Sequence, residues 1–285
     1  MATWCCLVSS VVWLTGSATA RQEAGFDEGV IHWTISGRVS GPALRELQLN
    51  LCDSGLADCF TGRAVDAAAG LIRDQRPDIV TLNEICRGDV SVLARAMSST
   101  YRGAVIASAF KAAADRRTNG PYRCQDGERY GIGVLARMPS SASAYRSYSG
   151  GYPMQDPGDP EERVWLCIDV ATEFIACTTH AASTSTTLAF AQCRYLLTSA
   201  VPMVRSQNGD DPVVLGADLN LPVGDAPEPQ SCVPDGYQRT DDGARQDIVT
   251  SPGFALRSRA VIDMHGTTDH PGLLVELARP QRAAR

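Results

Sequence analysis

Alternation of apolar and polar side chains sets in near Leu44. Leu47, Leu49 and Leu51 fall on one side of an extended chain, and Gln48 and Asn50 fall on the other. That period of two marks a strand, and it brings Asn50 out opposite the apolar face, near the strand's end. The period then changes. Across 61–76, Val65, Ala68, Ala69 and Ile72 recur at helical spacing, with Thr61 placed to cap the helix and Pro77 to end it. The run from Ile79 to Leu82 reads as a buried strand that finishes on Asn83 and Glu84. Asp89 is placed to cap a second helix, with Val90, Leu93 and Met97 on its inner side. Helix followed closely by strand is the grammar of layered α/β proteins.

Further strands are expected at 104–109, 131–135, 164–170 and 174–179, the last ending on His180. A helix follows over 185–205, with Leu188, Tyr195, Leu196 and Met203 available to the core. Val213-Val214-Leu215, bounded by Pro212 and Gly216, reads as another buried strand, and apolar steps recur at 247–249, 256–262 and 273–277. Three segments read as loops: a polar one over 111–129, one rich in Ser, Tyr, Gly and Pro over 139–163, and one over 222–243. Gly131-Ile132-Gly133 is not followed by a helix, so it does not make a nucleotide loop. No repeat or linker divides the chain, and one domain with two sheets is expected.

Composition adds three constraints. With 44% hydrophobic residues among 285, the chain can bury a substantial core. A net charge of -6 gives no bulk electrostatic case for nucleic acid, although a local basic patch and a metal ion can still manage a phosphate. Residues 1–20 are apolar from Cys5 to Leu14 and end on Ala18-Thr19-Ala20, the form of a secretory leader, although no Lys or Arg precedes the apolar run. Residues 21–43 read as an exposed lead-in, and no later stretch is apolar enough to span a membrane.

Eight cysteines lie beyond that leader, and an even number in an exported chain suggests four disulfides. Cys52 and Cys59 are near neighbours, and Cys167 and Cys177 would face each other across a hairpin turning at 171–173. Pairing 86 with 124 and 193 with 232 keeps the remaining loops short, although sequence alone does not fix the connectivity. No Cys-x-x-Cys pair supports a zinc site.

Polar residues of catalytic type sit at the strand ends. Asp218 and Asn220 are two apart and so share a face in extended chain. The ordinary reading of such a pair is an Asx turn. Yet Asn50, Glu84, His180 and Asp269-His270 also end or follow apolar strands, and Asp247 precedes another. Five coincident strand ends are hard to assign to turns alone.

In their order along the chain, several stretches resemble the endonuclease/exonuclease/phosphatase superfamily, the fold of pancreatic deoxyribonuclease, in a secreted bacterial form. They are Leu47 to Asn50, Pro77 to Glu84, Tyr130 to Arg137, Thr178 to His180, Leu215 to Asn220, Asp247 to Val249 and Thr268 to Pro271. The pattern departs from the family at Asn83, where Gln is common, at an additional small residue in Gly216-Ala217-Asp218, and at Pro271-Gly272-Leu273. The resemblance implies an α/β four-layer sandwich over 44–278, in which two packed mixed β-sheets are flanked by helices, followed by a short tail over 279–285. It implies a Mg²⁺-dependent phosphodiesterase, with Mn²⁺ or Ca²⁺ as other possible ions. Glu84, Asn50 and Asp269 would be the metal ligands. Asp247 would orient His270 as base and His180 would donate to the phosphate or leaving oxygen, or the two histidines would exchange these roles, and Asp218 and Asn220 would hold water and phosphate.

The superfamily acts on DNA, RNA, phosphoinositides and sphingomyelin. Arg116, Arg117, Arg123 and Arg129 are candidates to track a nucleic-acid backbone. Nucleic acid is therefore the expected substrate, phospholipid or inositol phosphate the alternative, and a secreted monomer without a stable protein partner the expected form. A non-catalytic binding protein should have lost some of Glu84, His180, Asp218 and His270, and all four are present.

Overall fold

Two sheets pack face to face in the computed structural model, which describes residues 30–34 and 43–279 apart from positions 141, 143 and 208. The leader read over 1–20 and the tail beyond 279 lie outside the described residues. In chain order the strands are β1 (Val30–Thr34), β2 (Ala43–Asn50), β3 (Ile79–Cys86), β4 (Ile106–Ala112), β5 (Ala114–Asp115) and β6 (Gly120–Pro121). They continue with β7 (Tyr130–Arg137), β8 (Tyr145–Gly151), β9 (Glu161–Glu162), β10 (Val164–Val170) and β11 (Phe174–His180). The last are β12 (Val213–Asp218), β13 (Gln238–Asp241), β14 (Gln246–Thr250), β15 (Ala255–Ile262) and β16 (Gly272–Ala278). One sheet runs β1-β15-β16-β2-β3-β7-β4 and the other β13-β14-β12-β11-β10-β8.

Each large sheet is antiparallel except for one parallel pair, β2 with β3 and β11 with β12. A parallel pair needs a crossover, which helices supply. Helix α1 (Ala64–Gln75) joins β2 to β3, and α3 (Thr186–Tyr195) with α4 (Val201–Gln207) joins β11 to β12. Helix α2 (Arg87–Thr100) packs beside α1. The result is helix, sheet, sheet, helix. Leu44, Ile79, Ile168, Phe174, Val214 and Val275 fill the space between the sheets. Leu47, Leu49, Val80 and Leu82 face α1 and α2. Cys177, Val213, Leu215 and Val249 face the other helical layer.

This layering changes the meaning of the alternation in β2. Leu47 and Leu49 do face one way, but Glu46, Gln48 and Asn50 are buried as well, against the opposite sheet. Gly216 shows how close that sheet comes. A Cβ there would lie 2.0 Å from Thr81 Oγ1 and 2.5 Å from Glu46 Oε1.

Several local expectations differ from the structure. Thr61 does not cap α1: its hydroxyl donates to Thr267 O at 2.7 Å, and Arg63 at the cap makes no side-chain bond to the helix. Asp89 lies inside the first turn of α2 rather than at its cap, and Glu128 accepts the Gly88 N–H at 2.5 Å instead. Met203 is 45% exposed, because Leu196, Leu197, Ala200, Val201 and Val204 form the buried stripe. The helix over 185–205 is interrupted by a π turn at Leu196–Ala200 just before Pro202. Proline has no N–H for the carbonyl four residues back and crowds it, and a π turn relieves that clash.

The loops contain edge strands that pattern alone does not reveal. Strand β8 pairs with β10 within the 139–163 segment, and its Ser, Gly and Arg show no alternation because the strand is an exposed edge. The lead-in contributes β1, paired to β15. Strands β5, β6 and β9 form a small third sheet. The bridges are Cys52–Cys59, Cys86–Cys124, Cys167–Cys177 and Cys193–Cys232, as the spacing suggested. Four disulfides are those of a protein that matures in an oxidising compartment. No helix among the described residues is long and apolar enough to cross a membrane.

Candidate active site

The two parallel pairs carry their carboxyl ends to the same end of the sandwich, where sites in α/β sheets collect. Asn50 is the register partner of Asn83, and His180 of Asp218. Toward this end the apolar filling between the sheets gives way to amides and hydroxyls. Gln48 donates to Asn83 Oδ1 at 2.7 Å and to Gln246 Oε1 at 2.9 Å. Asn83 donates to Thr178 Oγ1 and Thr179 O and accepts the Asp218 N–H at 2.8 Å. Asn83 thus ties β3 to both parallel strands of the opposite sheet.

Glu84 would follow the strand alternation toward the helices, but a bulge intervenes. The pairing of β3 with β7 slips between Leu82 and Ile85, and Glu84 takes a left-handed φ of 53°. Bulges re-aim side chains in this way. Glu84 Oε1 thereby accepts from Asn50 Nδ2 at 2.8 Å. The same amide donates to Asp218 Oδ2 at 3.0 Å, so one buried Asn bridges two carboxylates. Burial raises the pKa of both acids. Asp218 raises that of Glu84 further, while the hydrogen bond from Asn50 and the nearby Arg163 and His270 oppose the rise.

The two histidines stand on either side. His180 Nε2 is 3.7 Å from Glu84 Oε1, and its Nδ1 is 2.8 Å from Arg163 Nη1. Burial holds His180 well below the usual imidazole range, with Arg163 and His270 adding to the effect. His270 Nε2 is 3.5 Å from Asp218 Oδ2 and 3.7 Å from Asp269 Oδ2. Asp269 is half exposed at the rim, where the Thr268 hydroxyl lies 3.1 Å from Asn50 O and 3.3 Å from Asp269 Oδ1, with one proton for the two acceptors. Asp218 and Asn220 close an Asx turn through the Asn220 N–H at 3.0 Å, so the turn and the site coincide. Asn220 sits in the left-handed region and donates to Ala181 O.

Asp247 does not orient His270. On β14, Gln246 and Ile248 face the opposite sheet, which sends Asp247 and Val249 to the outer face. There Asp247 forms a buried ion pair with Arg239 at 2.6 Å. The residue that reaches the site from this strand is Gln246, whose amide donates to Asp218 Oδ2 at 3.2 Å. Asp218 itself stands beside His270.

The four arginines of the 111–129 segment separate. Arg117 pairs with Asp115, Arg116 with Glu162, and Arg123 with the Gly127 carbonyl. Arg129 joins Arg87, Lys111 and Phe110 around a groove of about 340 Å³. No ion pair engages Arg87, Lys111 or Arg129 among the described residues. Arg87 follows Glu84 by three residues, and its N–H bonds Arg129 O. Arg87, Arg163 and Gln246 were not anticipated. Strand alternation carried back from Ile248 identifies Gln246, whereas nothing local marks the other two.

The donor set suits a hard divalent cation. Two desolvated carboxylates share the Asn50 Nδ2, whose Oδ1 accepts the Cys52 N–H, and among the described residues His180 is the one ion-pair contact of Glu84. Hard ions prefer such oxygen ligands.

A family model described as the Endonuclease/Exonuclease/phosphatase family matches residues 59–270. Among solved structures, the endonuclease/exonuclease/phosphatase from Beutenbergia cavernae superposes with TM-score 0.62 at 19% identity, covering 85% of this chain and 74% of that one. The human Nocturnin catalytic domain gives 0.59 at 14%, covering 83% and 93%. ANGEL2, a 2',3'-cyclic phosphatase in complex with adenosine-2',3'-vanadate, gives 0.61 at 12%, covering 90% and 100%. No curated protein matches the chain.

Proposed function

The chain belongs to the endonuclease/exonuclease/phosphatase family, and from that premise we propose that it is a secreted, metal-dependent phosphodiesterase whose substrate is nucleic acid. Glu84 and Asn50 would hold the ion, with Asp269 joining from the rim. Mg²⁺ is the first choice, since it binds through one or two carboxylates and keeps positions for substrate oxygens. When bound, such an ion polarises the phosphoryl oxygen and offsets the charge that develops there.

The chain's own residues divide the rest. His270 presents Nε2 beside Asp218 and takes the proton of the attacking water at that atom. Asp218 orients that water and stabilises the imidazolium that results. His180 directs Nε2 toward the Glu84 side and donates to a phosphoryl or leaving oxygen. Asn220 holds the turn through Ala181 O and turns the remainder of its amide to the substrate.

The observation that favours nucleic acid is the groove lined by Arg87, Lys111 and Arg129, the first of them three residues after Glu84. Unpaired cations suit a phosphate backbone. The likeness to ANGEL2 is consistent with a nucleotide-type phosphate. One feature favours a phospholipid instead. Leu56 and Phe60 are 58% and 39% exposed on and beside the Cys52–Cys59 loop, which follows Asn50 directly.

Hydrolysis of duplex DNA, RNA, bis-p-nitrophenyl phosphate and sphingomyelin, each with Mg²⁺ and with EDTA, separates these readings. Metal-dependent nucleic-acid cleavage is expected. Cleavage of lipid alone would keep the mechanism and replace the substrate, and no cleavage by folded, oxidised protein would refute the hydrolase assignment.

A further inference from the structure

The two histidines of the site are not equivalent, and the difference starts at Arg163. This residue lies just before β10 and is 4% exposed. Its Nη2 donates to Asp159 Oδ2 at 2.9 Å and to Ser183 Oγ at 3.1 Å, and its Nη1 lies 3.4 Å from Glu161 Oε2. Gln155 fixes its backbone on both sides, accepting from Arg163 N and donating to Arg163 O, each at 2.8 Å. A guanidinium held in this way has no room to swing.

Arg163 Nη1 also lies 2.8 Å from His180 Nδ1. A guanidinium carries only donors and has no lone pair to offer. Nδ1 must therefore accept, and the ring proton must sit on Nε2. That is the nitrogen 3.7 Å from Glu84 Oε1. The short spacing to Glu84 could suggest a charged histidine paired with a carboxylate. The shorter contact to Arg163 argues against it, because a proton on Nδ1 would point at a cation.

We propose that Arg163 is a positioning residue that fixes His180 as its Nε2–H tautomer, making His180 a stationary hydrogen-bond donor and leaving proton transfer to His270. The role of the donated bond rests on the phosphodiesterase reading, but the tautomer does not. Residues that orient a functional side chain from behind typically contribute about 10–100-fold to activity at metal sites.

The first test needs no activity. Side-chain nitrogen NMR of the oxidised protein with labelled histidine, with His180 identified by its loss in His180→Gln, should show a protonated Nε2 and a bare Nδ1. A protonated Nδ1 would overturn the proposal whatever the enzyme does. The second test compares Arg163→Met and Arg163→Lys on bis-p-nitrophenyl phosphate. The methionine variant should mix tautomers and lose about 10–100-fold in kcat with little change in KM. Lysine keeps a donor, so that variant should retain the tautomer and recover part of kcat. A folded Arg163→Met protein with an unchanged tautomer and full kcat would refute the proposal. Should that variant not fold, the wild-type spectrum and the lysine variant still decide it. If no phosphodiester is hydrolysed, the function reading fails while the NMR result stands independently.

Discussion

Replacing Glu46 with glutamine removes a carboxyl from the space between the sheets while keeping its shape. Glu46 is fully buried, accepts one hydrogen bond at 3.3 Å from Thr81, and has no partner for its second oxygen. Burial raises its pKa from 4.5 to about 8, with the Thr81 bond opposing the rise. The folded protein therefore keeps a proton there that the unfolded chain releases above the lower value. Stability contributed by this group is full below the unfolded pKa and is lost as pH climbs toward the folded one. The slope is about 1.4 kcal/mol per pH unit, so about 3 kcal/mol disappears between pH 5 and pH 7.5.

Glutamine carries no such proton. Its amide could start at a disadvantage, since an N–H placed where Glu46 has no partner costs about 1–3 kcal/mol. The informative quantity is thus the stability gap between the two proteins as a function of pH, not its value at one pH. Urea unfolding of both oxidised proteins across pH 5–7.5 should show the gap moving by about 3 kcal/mol in favour of Glu46→Gln. Glu161, near 7, Asp169, near 6, and Asp53, near 8, titrate in both proteins and cancel in the difference. A gap constant within about 0.5 kcal/mol would refute the reasoning, because a buried neutral carboxyl cannot avoid this linkage.

The other predictions concern the site and its flanks. His180→Ala and His270→Ala should each cut hydrolysis by ~10²–10⁴-fold with unfolding midpoints near wild type, and near-normal turnover in a folded double variant would remove both from the mechanism. Asp247→Asn should leave kcat/KM within a few-fold but lower stability by about 1–3 kcal/mol in denaturant titration, because it removes one of the two carboxylates that pair with buried Arg239 and leaves Asp241 as the other. A selective loss of kcat there would return Asp247 to the catalytic set. Charge reversal at Arg87 and Arg129 should weaken oligonucleotide binding and flatten its salt dependence by about one unit of slope per cation, while bis-p-nitrophenyl phosphate hydrolysis is unchanged. Equal losses on both substrates would mean that the substitutions disturb Glu84 rather than a groove.

What the sequence made legible follows from how far each signal travels. Apolar runs bounded by Pro, Gly or charged residues located β3, β7, β10, β11 and β12, since burial on both faces leaves a local mark. The register of β10 with β11, and the cysteine pair facing across it, follow from a single hairpin and its turn. Edge strands such as β8 leave no such mark, because their placement is decided by a partner and not by their own composition. The polar residues at strand ends were legible as a set. Their pairings were not, because each depends on a contact between sheets: Asn50 with Asp218 spans 168 positions and Gln48 with Gln246 spans 198.

Asp247 and Gln246 show where the strand rule was available but applied to the wrong residue. A carboxylate next to an apolar step looks like a catalytic acid, and an adjacent glutamine looks like filler. Yet the side chains of neighbouring residues in a strand point to opposite faces. Once Ile248 is assigned to the space between the sheets, Gln246 must share it and Asp247 cannot. The outer position also explains the chemistry found there. Asp247 is fully buried and needs a cation, and Arg239 on the next strand provides one. Gln246, neutral and able both to donate and to accept, can join Gln48 to Asp218 without adding a third charge beside Glu84. An aspartate in that place would put another carboxylate within reach of two whose pKa values burial already raises. Like charges at such spacing push a carboxyl further toward its neutral form. A neutral amide at this position therefore leaves Asp218 better able to stay ionised beside His270, as the role we propose for it with the attacking water requires.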